Sequence, residues 1–170
     1  IRSTVELARS MTNVNYTDMY DRSLLMYAAS KGYARACRIL LRRGADPNIQ
    51  AIDGATSGMF AAYNGHDKIV KMMLERGFDP DIKALDGTNA LMMASQNGYP
   101  EVARMLIARG ARPDLQAADG YTALMLASQN GHEEIVSLLL ENGADPDMQD
   151  FRNGTTALIQ ASLFGNTYAA

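Results

Sequence analysis

Apolar positions in this chain come as two short runs separated and followed by glycine. From residue 123 the order is Ala123, Leu124, Met125, Ala127 and Ser128, then Gly131, then Ile135, Val136, Leu138, Leu139 and Leu140, then Gly143. The first run predicts a short apolar helix, and the second an outer helix with one wide apolar face. Thr122 stands at a helix N-cap, where a hydroxyl accepts from an orphan backbone N–H. Glu133 and Glu134 fall in the first turn of the second helix, where the helix dipole favours acid. Gly131 and Gly143 predict left-handed helix ends, and Pro146 prevents continuation. Asp119-Gly120 predicts a turn, and residues 145–150 an extended, turning connector.

This unit recurs every 33 residues. Gly32, Gly65, Gly98 and Gly131 form one row; Gly44, Gly77, Gly110 and Gly143 form a second; Gly54, Gly87 and Gly120 form a third. Gly154 and Gly165 continue two rows with a shift of one residue, and Pro47, Pro80, Pro113 and Pro146 share the period. Neither helix of a unit buries its apolar face alone, so such units stack into one continuous core. The pattern predicts helix pairs at 22–31 and 34–43, 55–64 and 67–76, 88–97 and 100–109, and 121–130 and 133–142. It divides the chain into units 20–52, 53–85, 86–118 and 119–152, with partial units at 1–19 and 153–170. Residues 1–11 are expected to hold the outer helix of the first partial unit. Phe151-Arg152-Asn153-Gly154 carries one residue more than its counterparts. Neither end shows a polar capping unit, so the array is expected to continue and the chain to be a fragment of a longer protein.

The stretches DGYTALMLASQNGHEEIVSLLLENGADPD from Asp119, DGATSGMFAAYNGHDKIVKMMLERGFDPD from Asp53 and DGTNALMMASQNGYPEVARMLIARGARPD from Asp86 carry a known pattern. They resemble the ankyrin-repeat family, whose units read roughly D-x-x-G-x-T-P-L-H-x-A-A-x-x-G-H, then I-V-x-L-L-L-x-x-G-A-D-x-N. The resemblance spans roughly residues 18–166. It implies an all-α repeat solenoid of helix-turn-helix units joined by β-hairpin-like connectors. Two departures stand out. The family's proline is replaced by Leu24, Ser57, Ala90, Ala123 and Ala157, and its histidine by Met26, Met59, Met92, Met125 and Ile159. Methionine fills irregular gaps well, so these residues are expected to fill the core. Gly58 replaces Leu25, Leu91, Leu124 and Leu158 of the other units. If the missing leucine leaves a void, this unit is the weak point of the array and Gly58→Leu stabilises it; otherwise Met59 and Phe60 compensate.

Composition narrows the chemistry. A net charge of −3 and scattered Lys and Arg give no stripe for a nucleic-acid backbone. No apolar run approaches the roughly 18 residues of a membrane span, so no membrane contact is expected from this segment. Cys37 is the single cysteine and falls where other units have Val70, Ala103 and Val136, which predicts a small core residue. One thiol favours a reducing compartment, cytoplasmic or nuclear, while an N-terminal signal is not observable because the chain opens on Ile1. His66 and His132 sit at the start of outer helices two units apart, too far to share a metal. No nucleophile–base–acid set and no phosphate loop stand outside the repeat register. The expectation is therefore a non-enzyme without metal or cofactor.

The resemblance also implies a binding face, made by connector tips and the exposed side of the first helix of each unit. Carried over by register it comprises Tyr20, Arg22, Ile52, Asp53, Tyr63, Asn64, Lys83, Leu85, Asp86, Gln96, Asn97, Asp119, Tyr121, Gln129, Asn130 and Phe164. Tyr63 and Tyr121 are expected to be rigid contact residues. The Asn and Gln side chains form an amide ladder able to donate and accept. Asn48, in the family's G-A-D-x-N connector, is a candidate for asparaginyl hydroxylation, with a structural hydrogen bond as the alternative. The function implied is a protein-binding module for a protein or peptide partner. The alternatives are a spacer or tether in a larger membrane or cytoskeletal protein, or a regulatory or targeting domain of an enzyme.

Overall fold

The computed structural model describes residues 4–10 and 12–165. The expected partial units extend onto residues 1–3, 11 and 166–170, which lie outside the described residues. The helices are α1 (Thr4–Ser10), α2 (Leu24–Ser30), α3 (Ala34–Arg42), α4 (Ser57–Tyr63), α5 (Asp67–Leu74), α6 (Ala90–Asn97), α7 (Pro100–Ala108), α8 (Ala123–Asn130), α9 (Glu133–Glu141) and α10 (Ala157–Leu163). They form two layers. The inner helices α2, α4, α6, α8 and α10 pack each against the next, and the outer helices α1, α3, α5, α7 and α9 do the same. Among the described residues there is no strand, only isolated bridges between Thr17 and Ser23 and between Gln50 and Thr56. The array is all-α, as the pattern predicts.

Four inner helices begin two residues later than the sequence pattern alone predicts, because the capping residue itself is not helical. Ser23, Thr56, Asn89 and Thr122 have extended backbone, and each side chain accepts from the N–H three residues on, at Met26, Met59, Met92 and Met125. Thr156 caps α10 in the same way. This geometry turns the four methionines into the core, where each is at most 1% exposed. Ile159, the fifth member of that row, is exposed, and no helix packs beyond α10 among the described residues. The outer helices bury one face only. The deepest row is Leu40, Met73, Leu106 and Leu139, one each in α3, α5, α7 and α9 and each 0% exposed. Cys37 is buried in the same layer, and burial pushes its thiol up to about 12, so it remains a neutral packing group at neutral pH.

The expected void at Gly58 does not exist. A Cβ added there would meet the Phe78 ring, its Cζ at 2.2 Å. Phe78 is 4% exposed and occupies the place held by Ala45, Ala111 and Ala144 in the other units. The large residue has moved from the inner helix to the end of the outer one. The void on which the weak-point expectation and the gain from Gly58→Leu rest is filled, and the residue that fills it is Phe78 rather than Met59 or Phe60.

A row of arginines ties the outer layer together. Arg43 Nη1 donates to the Ala8 carbonyl at 2.6 Å, Arg76 Nη1 to Leu41 at 2.7 Å and Arg109 Nη1 to Leu74 at 3.0 Å. Each cation thereby sits at the carbonyl end of the preceding outer helix, where the dipole favours it. Asn142 breaks the row, since its Nδ2 donates to Leu138 of its own helix. No described helix is long and apolar enough to cross a membrane.

Candidate functional site

The connectors form the edge of the candidate face. Each folds back on itself through two backbone bonds: Ala51 N–H donates to Ala55, Ala84 to Thr88, Ala117 to Tyr121 and Asp150 to Thr155, while Gly54, Gly87, Gly120 and Gly154 N–H donate to the carbonyls of Ala51, Ala84, Ala117 and Asp150. They are hairpin-like in this sense, without a strand. Each also pairs with the next, Ile52 N–H donating to Tyr20, Leu85 to Asp53, Ala118 to Asp86 and Phe151 to Asp119. This backbone contact explains the third glycine row. A Cβ on Gly54 would lie 2.8 Å from Leu85 N, and one on Gly87 2.6 Å from Ala118 N.

Side chains repeat the same linkage. Gln50 Nε2 donates to Gly54 and Lys83 carbonyls, Gln116 Nε2 to Gly120 and Gln149, and Lys83 Nζ to Gln116 at 2.6 Å. Asn48 spans two connectors, with Nδ2 donating to Gly77 at 2.8 Å and Oδ1 accepting from Asp79 N–H at 2.9 Å. Asp81 and Asp114 accept in the same register from Arg112 and Asp145 N–H. The last connector holds its extra residue by other means. Asp150 replaces a row of alanines and accepts from the N–H groups of Arg152, Asn153 and Thr155 and from the Thr155 hydroxyl. Those bonds, the Thr155 hydroxyl foremost, lower its carboxyl to about 2.

Between α4, α6 and their connectors lies a groove of about 500 Å³. Five of the residues expected on the binding face line it: Asp53, Tyr63, Asn64, Leu85 and Asp86. Tyr63 and Leu85 are 52% and 78% exposed, so their apolar surface stands free at the rim. Ala55, Met59, Phe60, Ala84, Thr88 and Met93 complete the lining. Phe60 and Met93 were missed from sequence, although the signal is there. Tyr27, Phe60, Met93 and Leu126 form a 33-residue row of large apolar residues outside the buried rows, and none of them is fully buried.

The other expected face residues fall in smaller groups. Arg22 lies over the Tyr20 ring at 5.9 Å and reaches Asp53 at 3.9 Å, with Ile52 exposed alongside. Lys83 is exposed but its ammonium holds the next connector. Asp119 pairs with Arg152 at 3.5 Å. Gln96 and Asn130 are exposed, Asn97 and Gln129 half-buried, and Phe164 is exposed at the far end. Two sets of these residues already have partners within the chain. Tyr121 is half-buried, and its hydroxyl accepts from Gln160 Nε2 at 2.8 Å, so it joins the connector before α8 to α10. In the amide ladder, one N–H of each of Asn64, Asn97 and Asn130 is committed to the carbonyl four residues back. These amides finish their own helices before they meet a partner.

The histidines act as spacers. A Cβ on Gly32 would lie 2.8 Å from the His66 ring and one on Gly98 2.5 Å from the His132 ring, so each imidazole lies against a glycine of the preceding unit. His132 Nε2 is also 3.1 Å from the Gln96 carbonyl. Among the described residues no three His, Cys, Asp or Glu side chains gather as metal ligands.

A family model described as ankyrin repeats (3 copies) matches residues 25–117, 58–150 and 91–170, its placements starting 33 residues apart. No curated protein matches the chain.

Proposed function

The chain belongs to the ankyrin-repeat family, and from that premise we propose that it binds a protein or peptide partner on its concave face, without catalysing a reaction. Ankyrin repeats are generally protein–protein interaction modules. The observation that carries the assignment to this face is the groove between α4 and α6, where Tyr63 and Leu85 leave apolar surface uncovered beside residues of the expected face. Exposed aromatic and aliphatic surface beside a groove is what interface anchors use. The outer helices expose charged residues such as Lys71 and Glu141 together with single apolar ones such as Leu140. Tyr121 and Lys83 support this face indirectly, by fixing α10 and the connectors behind it.

A peptide array probed with the full chain tests the reading. Tyr63→Ala and Leu85→Glu are expected to weaken the strongest peptides by more than about 1 kcal/mol each, the cost of truncating an interface anchor. Lys71→Ala and Glu141→Ala are expected to leave them unchanged. The reverse pattern would move binding to the outer helices and reject the concave face.

A further inference from the structure

One position in the connector register decides how the groove is filled. It is held by Arg22, Ala55, Thr88 and Tyr121 in successive units. At the first junction Arg22 extends to the carboxylate of Asp53, with Nη2 to Oδ2 at 3.9 Å. At the second junction the corresponding pair is Ala55 and Asp86. Alanine cannot reach, and the groove of about 500 Å³ opens where that long side chain is absent. Asp86 is exposed, and its Oδ1 accepts from the Thr88 N–H at 2.9 Å and the Thr88 hydroxyl at 2.7 Å. No cation lies within ion-pair distance of it among the described residues. The same groove thus offers an apolar lining and an acceptor oxygen aligned by Thr88 but not matched by a positive charge.

We propose that this groove takes a large apolar side chain of a protein partner, and that a Lys or Arg beside it in the partner pairs with Asp86. The partner supplies in trans the cation that Arg22 supplies in cis one junction earlier. This rests on the concave-face reading and adds to it the chemistry of the partner. Phe60, Tyr63, Leu85 and Met93 take up the apolar side chain. Asp86 selects its neighbour, because a carboxylate beside the groove repels an acidic segment and attracts a basic one. Asp53, half satisfied by Arg22, adds to the same sign.

The test is a selection from a random-decapeptide phage library with the full chain as bait. Enriched sequences are expected to carry Leu, Met, Phe or Trp with Lys or Arg within two residues. With one enriched peptide as probe, Ala55→Arg should weaken binding by about tenfold or more, since it fills the groove and returns the cation in cis. Asp86→Asn should weaken it about two- to fivefold, and high salt should remove that difference, as for an exposed ion pair. Leu85→Glu, at an exposed position that does not challenge folding, should weaken it as strongly as Ala55→Arg. Peptides that are acidic, or that ignore both Ala55→Arg and Leu85→Glu, overturn the inference, as does a selection that enriches nothing. If such peptides are instead lost on Asn130→Arg at another inner helix, the concave face stands and only the groove assignment falls. If they are lost on Lys71→Ala alone, both fall.

Discussion

The ring of Phe78 fills the space that a side chain on Gly58 would need: a Cβ there would stand 2.2 Å from its Cζ. Leu25 with Ala45, Leu91 with Ala111 and Leu124 with Ala144 divide the same space the other way. The two positions are therefore coupled, and the coupling is measurable. Phe78→Ala should cost about 3–5 kcal/mol, as for a buried aromatic truncated over a void. Gly58→Leu should also destabilise, because overpacking of about 1–3 kcal/mol or more exceeds the roughly 1 kcal/mol gained by removing glycine from a helix. The double variant restores the leucine–alanine pairing of its neighbours and should recover most of both losses. Urea denaturation of all four proteins reads the cycle; additive losses would show that the two residues do not share the space.

That pair also marks how far the sequence carries. The 33-residue rows of glycine, proline and leucine specify helices, turns and stacking, because each row encodes a local requirement repeated in every unit. The thirteen glycines on the lattice all have positive φ, and Gly58, off the lattice, does not. The Gly58–Phe78 exchange was legible only as a missing leucine, since its partner lies in a different helix-end row and nothing local links them. The proposed binding face was legible as a register, and Asp53, Tyr63, Asn64, Leu85 and Asp86 of that register line one groove. What the register could not give is which of its members are already engaged. Tyr121 meets Gln160 and Lys83 meets Gln116 through contacts thirty or more residues away.

Asp150 makes the last connector sensitive to acid. Its carboxyl sits at about 2 in the folded chain, below the ordinary value of roughly 3.9 for an unfolded aspartate. A depressed folded value means the contribution is fully present above the unfolded value and is lost as pH falls through the folded one. Between about pH 4 and pH 2 the stability of the wild type should fall relative to Asp150→Asn, which lacks the titrating group. Melting temperatures across that interval should converge at its acid end; a gap that stays constant with pH would mean Asp150 acts without its charge.

Asn48 uses both ends of its amide between connectors, so its substitution should loosen the joint between Asn48 and Asp79. Asn48→Ala is expected to cost about 1 kcal/mol, the size of a net hydrogen-bond loss at a half-buried site. Asn48→Asp should cost less, because Asp81 and Asp114 already accept from backbone N–H groups at this register. The repeat register also makes this residue a candidate for asparaginyl hydroxylation, beside its structural hydrogen bonds. Intact mass of the protein from its native cells decides that separately, and a mass without added oxygen ends the proposal.

The arginine row in the outer layer stops one step short, and completing it should stabilise the array. Arg43, Arg76 and Arg109 each place a guanidinium on a carbonyl at the end of the preceding outer helix. By register the next member is Asn142 and its target the Ile107 carbonyl near the end of α7, but the amide turns back to Leu138. Asn142→Arg keeps the position at the end of α9, where Arg43 and Arg109 stand in the corresponding helices without strain. It adds a cation to the negative end of the α7 dipole, worth about 0.3–1 kcal/mol at an exposed helix end. The midpoint of urea unfolding should rise by that amount with an unchanged slope, and the gain should shrink in high salt. Arg76→Ala, which removes an existing member, should lower the midpoint. If Asn142→Arg leaves it unmoved while Arg76→Ala lowers it, the row acts through packing of the arginine stems and not through the helix-end charge.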